Sequence, residues 1–431
     1  MNDLVICAIV SQETPYLAEW IRYYQFHGVS HFYLYDNDPA QPLSIFFKDS
    51  HLVTVKPWVG YRRQFDAYHD FIKMHNEWFK TREESQWVLF VDVDEFVVCW
   101  RHATLLDFAK EYLKEGAIAI NEVLFGSSRH VMAEPYPVIQ RFTMRRKEAD
   151  PLVKCLCVCA DLEEYNNPHY PTKLKRGTVH DHKGNILDGP FNARREMDMI
   201  NVFHYFTKSK EESIQKMRRG TAGMGIIRPL TDFENNDWNE VEDLKAWEWY
   251  VFHHAQQIEG WLSYKEGFEL AQLARKKMCV EIGSFKGRSA CFMATYAFHV
   301  DCVDTFKAIN GGQQQHDQTT TLQDFLNNTA MFLNIQSYQT TSLEAAKMLG
   351  SKSCKYELIF IDALHTYESV KADIQAWLPH LQIGGRICFH DFKNGWPGVD
   401  QAINELIPNA YDHHIDSLFV SKLYLGDNKW K

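Results

Sequence analysis

The stretch Trp87 to Val98, WVLFVDVDEFVV, constrains this chain more than any other. An apolar run climbs into Asp92, Asp94 and Glu95, then resumes as Phe96-Val97-Val98. A short, nearly all-apolar run is the pattern of a buried central strand. Carboxylates at such a place are costly unless a cation pairs with them. The economical solution is a strand that delivers Asp92 and Asp94 to a divalent cation at its exposed end. Asp-x-Asp with hard oxygen ligands suits Mg²⁺ or Mn²⁺, which in turn would hold a diphosphate. The competing reading is an acidic turn that only bends and caps the chain.

The rest of the chain narrows that choice. With 431 residues, it predicts about two to three domains. The net charge is −10 and no long basic run is present, which argues against a nucleic-acid partner. Compact anionic ligands would instead be met by metals or helix N-termini. The N-terminus, MNDLVICAIVSQE, lacks a basic region followed by a long apolar one, so no signal peptide is expected. No apolar run reaches the ~18 residues a transmembrane segment needs, and the expected location is cytoplasmic. Ten cysteines show no zinc-ribbon spacing; Cys155, Cys157 and Cys159 alternate, as on one face of a strand. They read as buried thiols in a reducing compartment. Nothing in the pattern sets an oligomeric state.

Strand-like runs at Leu4–Val10, His31–Tyr35 and Leu52–Val59 alternate with helical patterns at YLAEWIRYYQFHG and Arg62–Phe79. The strand carrying Asp92 and Asp94 follows. This order is that of a parallel α/β sheet with ligands at the carboxyl ends of its strands. Three strand ends then carry polar groups on one edge: Ser11 to Glu13, Asp36 to Asp38 and Asp92 to Glu95. A nucleotide would fit there, with Asp36 accepting from base or ribose; the plain alternative for Asp36 is an Asx-turn.

Four separated segments, VICAIVSQETPYLAEWIRYYQFHGVSHFYLYDND, RRQFDAYHDFIKMH, WVLFVDVDEFVV and VFHYFTKSKEESIQKMRRG, resemble family 92 glycosyltransferases and their GT-A relatives. The resemblance covers about residues 4–225. It implies a GT-A fold, a nucleotide-sugar donor, a glycan or glycoconjugate acceptor, and metal binding at Asp92 and Asp94. It makes His204 a candidate metal or phosphate contact, with His180 and His182 competing for that role. Glu13, Asp36, Arg63, Lys208 and Arg219 are the expected substrate contacts. Lys208, Lys210, Lys216, Arg218 and Arg219 form a basic cluster, which reads as a segment closing over donor phosphates or as a solvated helix face. The chain departs from the family at Glu122, where a Trp is expected, and at Arg129, where a Gly is expected. An inverting transferase needs a carboxylate base, for which Glu122 and Asp181 are the candidates.

Residues 228–275 change character to an acidic loop and then a Trp- and Tyr-rich helical stretch, read as a connection between a domain at 1–227 and one at 276–431. MCVEI then leads into Glu281-Ile282-Gly283-Ser284-Phe285-Lys286-Gly287-Arg288-Ser289 and a helix. A strand, a Gly-rich turn and a helix let backbone approach a cofactor closely. The E-x-G-x-x-x-G-x-S spacing resembles the first motif of class I S-adenosylmethionine-dependent methyltransferases. Asp304 follows at the end of the next strand, where that family holds ribose hydroxyls. Asp362-Ala363-Leu364-His365-Thr366-Tyr367 and His390-Asp391 close later strands and resemble sugar O-methyltransferases. That resemblance implies cofactor contacts at Glu281, Gly283, Ser284, Gly287, Ser289, Asp304 and Asp362, and a metal at Asp391 shared with Asp362. His365 or His390 would be the general base. Leu364 stands where the family pattern has an acid.

The fold expected is α/β in two domains, a GT-A-like nucleotide-sugar transferase followed by a Rossmann-like class I methyltransferase. The function expected is metal-dependent sugar transfer with Mn²⁺ or Mg²⁺, plus O-methylation by S-adenosylmethionine. The alternatives are a glycosyltransferase with an inactive methyltransferase-like scaffold, or a non-catalytic glycan-binding module.

Overall fold

The computed structural model describes residues 4–38, 40, 42–60, 63–79, 87–219, 229, 231–307, 322–351 and 354–431. It divides into two compact units, Met1–Trp247 and Glu248–Lys431. No described helix is long and apolar enough to cross a membrane.

The first unit opens with β1 (Leu4–Val10), α1 (Thr14–Phe26), β2 (His31–Asp36), β3 (Val53–Pro57) and α2 (Gln64–Phe79). The Trp87–Val98 run is not one strand. It is β4 (Trp87–Phe90) and β5 (Glu95–Cys99), separated by the turn that holds Asp92 and Asp94. The turn closes on itself: Asp92 N–H donates to the Glu95 carboxylate at 2.9 Å, and Glu95 N–H donates to the Asp92 carbonyl at 3.1 Å. The two halves then pair with different neighbours. β4 lies parallel to β1, and β5 lies antiparallel to the strand carrying His204.

The remaining strands are β6 (Ala117–Leu124), β7 (Val153–Val158), β8 (Val179–His180) and β9 (Ile200–His204), followed by α3 (Lys210–Arg219). The sheet order is β3-β2-β1-β4-β7-β6-β9-β5, with β8 beside β6. The parallel pattern expected from the sequence holds for the first four strands. β7 then runs antiparallel to both β4 and β6, so the sheet is mixed. Cys155, Cys157 and Cys159 lie together in one buried cluster with Val5, Cys7, Phe71 and Phe90.

Helix α1 shows how the acidic turn is held. Pro15 sits in its first turn, and Leu17, Trp20, Ile21, Tyr23 and Tyr24 form its buried face. The polar tips of three of these rings are satisfied by β5. Trp20 Nε1 and Tyr24 Oη donate to the Glu95 carbonyl, and Tyr23 Oη to that of Val97. Each such bond contributes about 0.5–1.5 kcal/mol net, and together they fix the strand that leaves the turn.

The second unit takes in most of α4 (Lys245–Gln257), then α5 (Tyr264–Ala274), β10 (Met278–Ile282), α6 (Arg288–Ala294), β11 (His299–Asp304) and β12 (Ile335–Gln339). It continues with β13 (Tyr356–Ile361), α7 (Tyr367–Trp377), β14 (Leu381–Phe389), α8 (Pro397–Leu406), β15 (Tyr411–Ile415) and β16 (Leu418–Ser421). The order is β12-β11-β10-β13-β14-β16-β15. The first five strands are parallel, and β16 is antiparallel to both its neighbours. The strand order reverses between β11-β10 and β13-β14, so their carboxyl ends flank a crevice of the kind that binds ligands.

Candidate active sites

In the first unit, register assembles one cluster. His204 on β9 is opposite Glu95 on β5, and Val202 is opposite Glu122 on β6. Three adjacent strands therefore present Glu95, His204 and Glu122 to one place, where their donor atoms lie within 4.8 Å of one another. His204 Nδ1 is 2.9 Å from Glu122 Oε2. Its other nitrogen, Nε2, faces Asp94 Oδ1 at 3.6 Å. The second Glu122 oxygen is 3.0 Å from His169 Nδ1.

Three lysines neutralise these acids. Lys154, fully buried in the middle of β7, bridges Asp92 at 3.0 Å and Glu95 at 3.1 Å. Lys208 and Lys216 both reach Asp94 Oδ2, at 2.8 and 2.6 Å. Burial pushes the Asp94 carboxyl up, but Lys208, Lys216 and His204 outweigh it and hold the group well below the usual carboxylate range. Glu95 goes the other way: burial, only partly offset by Lys154, pushes it up to about 8. Burial lowers Lys154, yet Asp92 and Glu95 keep its ammonium charged well above the ordinary range. Burial disfavours the charged form of His204, but Glu95, Glu122 and Asp94 together raise its pKa. A pocket that favours a proton on His204 also favours a cation beside it.

Of the three expected ligands, Asp94 and His204 meet, but Asp92 does not join them; the donor atoms that converge are those of Glu95, Glu122 and His204. An imidazole that gives Nδ1–H to a carboxylate leaves Nε2 free to ligate. His204 does this toward Glu122, and its Nε2 meets an Asp94 oxygen. Asp92, with a third of its side chain exposed, is at the rim, where Gln64 donates to its Oδ1 at 3.2 Å. Carboxylates suit Mn²⁺ or Mg²⁺, and an added imidazole favours Mn²⁺ over Mg²⁺.

The segment after β9 is anchored rather than loose. Glu212 on α3 forms a two-pronged, buried pair with Arg141, both bonds at 2.9 Å, and accepts from Tyr16 Oη at 2.8 Å. Burial raises the Glu212 carboxyl, but Arg141, Ser209 and Tyr16 bring it down to about 2. Glu13 is buried at the start of α1; burial lowers the Lys216 ammonium's pKa, and Asp94 and, to a lesser degree, Glu13 oppose this. The Arg219 side chain and residues 220–228 lie outside the described residues.

Other expected residues lie elsewhere. Both Asp36 oxygens accept backbone N–H groups, from Asp38 at 3.1 Å and Leu43 at 2.8 Å. That is the turn-forming arrangement. The Asp36 carbonyl accepts from Trp58 N–H at 2.7 Å, and the Arg63 guanidinium lies 4.7 Å from the Trp58 ring. Arg63 thus belongs with the β2 and β3 ends. Asp181 is 1% exposed and accepts from Lys183 N–H and from the backbone and side chain of Asn185. His180 Nδ1 lies 2.9 Å from the Asp181 carbonyl. His182 joins Glu196 and Asp198 instead of the Asp94 cluster.

In the second unit, β10 carries Glu281, 0% exposed, one residue before its end. Both its carboxylate oxygens, and Ser284 Oγ beside it, lack a well-directed hydrogen-bond partner. Burial raises Glu281 to about 7, with the Ser289 and Ser284 hydroxyls offsetting only part. Gly283 has φ +91°, and a Cβ there would sit 2.0 Å from the Asp362 carbonyl oxygen. Gly287, with φ +90°, caps α6. Asp304 accepts from Phe285 N–H at 2.8 Å and Phe306 N–H at 2.7 Å, which ties the β11 end to the glycine turn. An uncompensated buried carboxylate beside a turn that only glycine fits suits a cationic ligand such as S-adenosylmethionine.

Across the crevice, Asp362 and Asp391 are bracketed by two imidazoles. His365 Nε2 is 3.0 Å from Asp391 and 3.7 Å from Asp362. His390 Nδ1 is 3.3 Å from Asp362 and 3.4 Å from Asp391. His390 is 4% exposed, and its Nε2 faces Glu266 of α5 at 3.5 Å. Burial alone would lower both imidazoles; the carboxylates raise His365 to about 9 and, with Glu266, His390 to about 12. Asp362, His365 and Asp391 place donor atoms within 4.8 Å of one another. Leu364 is exposed and takes no part in that group. The Trp396 ring lies 4.7 Å from that of His365.

Sequence reasoning missed Lys154, His169, Glu266 and Trp396, and placed Glu95 at the strand end without a role. Lys154 left one sign, a lone lysine in the apolar strand VKCLCV. Glu266 left none beyond its Ser263 capping box, because its partner is far away in sequence.

The fold and these strand-end clusters define a two-unit transferase. A family model described as glycosyltransferase family 92 matches residues 2–238, more than half of the chain, and the chain belongs to that family. A model for a methyltransferase domain matches residues 280–392. A family 92 protein of Arabidopsis thaliana is 27% identical over 100 residues, covering 22% of this chain and 16% of that protein. One from Oryza sativa subsp. japonica is 25% identical over 115 residues, covering 26% of this chain and 19% of the other. The chain thus spans under a fifth of the length of these curated relatives. Among solved structures, a calicheamicin methyltransferase is 16% identical with a TM-score of 0.31, covering 38% of this chain and 82% of its own. An rRNA methylase from Streptococcus thermophilus is 13% identical with a TM-score of 0.29, covering 38% of this chain and 99% of its own.

Proposed function

We propose that the first unit transfers a sugar from a nucleotide-sugar donor to a glycan or glycoconjugate, and that the second methylates a sugar hydroxyl using S-adenosylmethionine. The observation that carries this reading is the presence, in one chain, of two strand-end acid clusters built for different ligands. One is lined with lysines suited to a diphosphate. The other faces a glycine turn with an uncompensated buried carboxylate.

In the first unit, Asp92, Asp94 and His204 would hold Mn²⁺ or Mg²⁺, which would neutralise charge on the leaving diphosphate. Lys208 and Lys216 add positive charge beside it, and Glu13 sits behind them. The ends of β2 and β3, with Asp36 and Arg63, take the nucleoside side. Glu122 is nearly fully buried between two imidazoles, so we assign it to orienting His204 rather than to taking a proton. Asp181 shapes its own turn.

In the second unit, Glu281, Gly283, Ser284, Gly287, Ser289, Asp304 and Asp362 would hold S-adenosylmethionine, which supplies an electrophilic methyl group. Asp362 and Asp391 would hold a divalent ion that binds vicinal hydroxyls. His365, at the rim beside Trp396, would take the acceptor hydroxyl proton in its neutral form, which a divalent ion on the two aspartates that otherwise raise its pKa would favour. His390 is too deeply buried to reach an acceptor; between Glu266 and the two aspartates it fixes their positions. Methyl transfer needs little beyond this deprotonation and alignment.

Leu364 favours a second reading, in which the methyltransferase half is an inactive scaffold. The experiment is a thermal-shift screen of nucleotide sugars with and without Mn²⁺, followed by calorimetry with S-adenosylmethionine. The proposal expects one donor to raise the melting temperature only with Mn²⁺, and the methyl donor to bind. Absence of methyl-donor binding selects the scaffold reading; absence of any stabilising donor overturns the sugar-transfer assignment.

A further inference from the structure

We propose that His182, Glu196 and Asp198 form a second divalent-cation site in the first unit, one that takes a borderline ion such as Zn²⁺. None of the three belongs to the Asp94 cluster. His182 follows β8, and Glu196 and Asp198 lie in the segment that leads into β9. Their donor atoms lie within 4.8 Å of one another.

The three donor atoms face one another as ligands of a single ion do. His182 Nε2 lies 3.3 Å from Glu196 Oε2 and 3.1 Å from Asp198 Oδ1. All three of these atoms are shielded from solvent, and none has a properly directed hydrogen bond. An imidazolium paired with a carboxylate at such a distance normally aims its N–H at one oxygen. Here neither contact is a directed hydrogen bond. Ligand atoms ~2.0–2.2 Å from one metal ion sit about 2.8–3.6 Å apart at octahedral or tetrahedral angles. The two observed separations fall in that range. The His182 side chain is 9% exposed, so its nitrogen is aimed into the cluster and not at water.

Charge and second contacts agree. Lys183 Nζ binds the outer oxygens of the same carboxylates, 2.7 Å from Glu196 Oε1 and 3.5 Å from Asp198 Oδ2. It leaves the inner oxygens to the cluster. Two carboxylates and one ammonium carry a net negative charge, which a divalent ion would reverse. Asp198 is 42% exposed, which leaves a side open for water as a fourth ligand. The base of the site is rigid: the Glu196 carbonyl accepts from Asn201 Nδ2 at 2.9 Å, and Asn201 is fully buried on β9. An imidazole with two carboxylates suits Zn²⁺ better than Mg²⁺. The ion would pin the 180–198 segment to the start of the strand that carries His204.

The test uses the full chain, stripped with chelator and reloaded with Zn²⁺ alone, without any nucleotide sugar. Bound metal is measured by elemental analysis, and Co²⁺ absorption reports the ligand set. The expected result is that His182→Gln and Glu196→Gln each lose about one equivalent of Zn²⁺ relative to the parent chain. Asp94→Asn should keep that equivalent, and Zn²⁺ should raise the melting temperature of the parent by more than that of either site variant. Glu196→Gln preserves shape, so it decides the matter if His182→Gln fails to fold by circular dichroism. Equal Zn²⁺ content in parent and folded variants overturns the proposal and leaves His182 a packing partner of two carboxylates.

Discussion

The two acid clusters are neutralised by different chemistry. In the first unit, Asp92, Asp94 and Glu95 are met by Lys154, Lys208 and Lys216. In the second, Asp362 and Asp391 are met by His365 and His390, with Glu266 behind. Ammonium groups are compact, strongly hydrated point charges that suit phosphate oxygens. Imidazoles can also take up and release a proton. The lysine-lined cluster is therefore suited to holding an anion, and the histidine-lined cluster to moving a proton from a hydroxyl. The same arrangement of acids at strand ends thus meets two kinds of cation, and the two reactions proposed for the units rest on that difference.

The sharpest way to break this comparison is Asp94→Asn. Donor hydrolysis should fall by about 10²–10³-fold, the scale for removing one preorganised electrostatic contact. Lys208 and Lys216 would be left beside a neutral amide, at a cost of ~3–5 kcal/mol in denaturant unfolding of the first unit. Methyl transfer should not change; an equal loss there would show that the clusters are not separate.

Acid titration separates the units next. Glu212 is held to about 2 in the folded chain, because Arg141, Ser209 and Tyr16 overcome the effect of burial. Its contribution is therefore fully present above the ordinary Glu pKa near 4.5, and is lost as pH falls toward about 2. Glu212→Gln should remove a contribution of about 3 kcal/mol and flatten that limb in urea titrations between those pH values. Glu266, also held to about 2, should give the second unit a limb over the same window. A limb unchanged in Glu212→Gln would mean that Arg141 is not the controlling partner.

Gly283→Ala probes the cofactor side. The added Cβ would meet the Asp362 carbonyl at 2.0 Å from a left-handed backbone. Overpacking should cost about 1–3 kcal/mol and abolish methyl-donor binding in calorimetry, while donor-sugar hydrolysis persists. Retained binding would remove the glycine turn from the site. Ser263→Ala is the mildest change. It deletes the N-cap of α5 and should cost ~1 kcal/mol by thermal melting. Because Glu266 also accepts from Ser263 N–H, weaker methyl transfer out of proportion to that cost would mark the Glu266–His390 contact as functional.

Local pattern made much of this molecule legible. Leu4–Val10 reads as a strand in the sequence and is one in the structure, because seven consecutive apolar residues have to be buried on both faces. The glycine turn at Gly283 and the acids at strand ends were visible for the same reason: backbone chemistry and spacing are local. Tertiary structure alone decided which cation meets which acid. Lys154 reaches Asp92 across 62 residues, Lys208 reaches Asp94 across 114, and Glu122 meets His204 across 82. These contacts follow from sheet order and register, which bring distant strands side by side. They turn Glu122 from a candidate base into a partner of two imidazoles. They also break the Trp87–Val98 run into two strands. The sequence by itself determined that two acidic strand ends exist; long-range pairing determined what each of them can do.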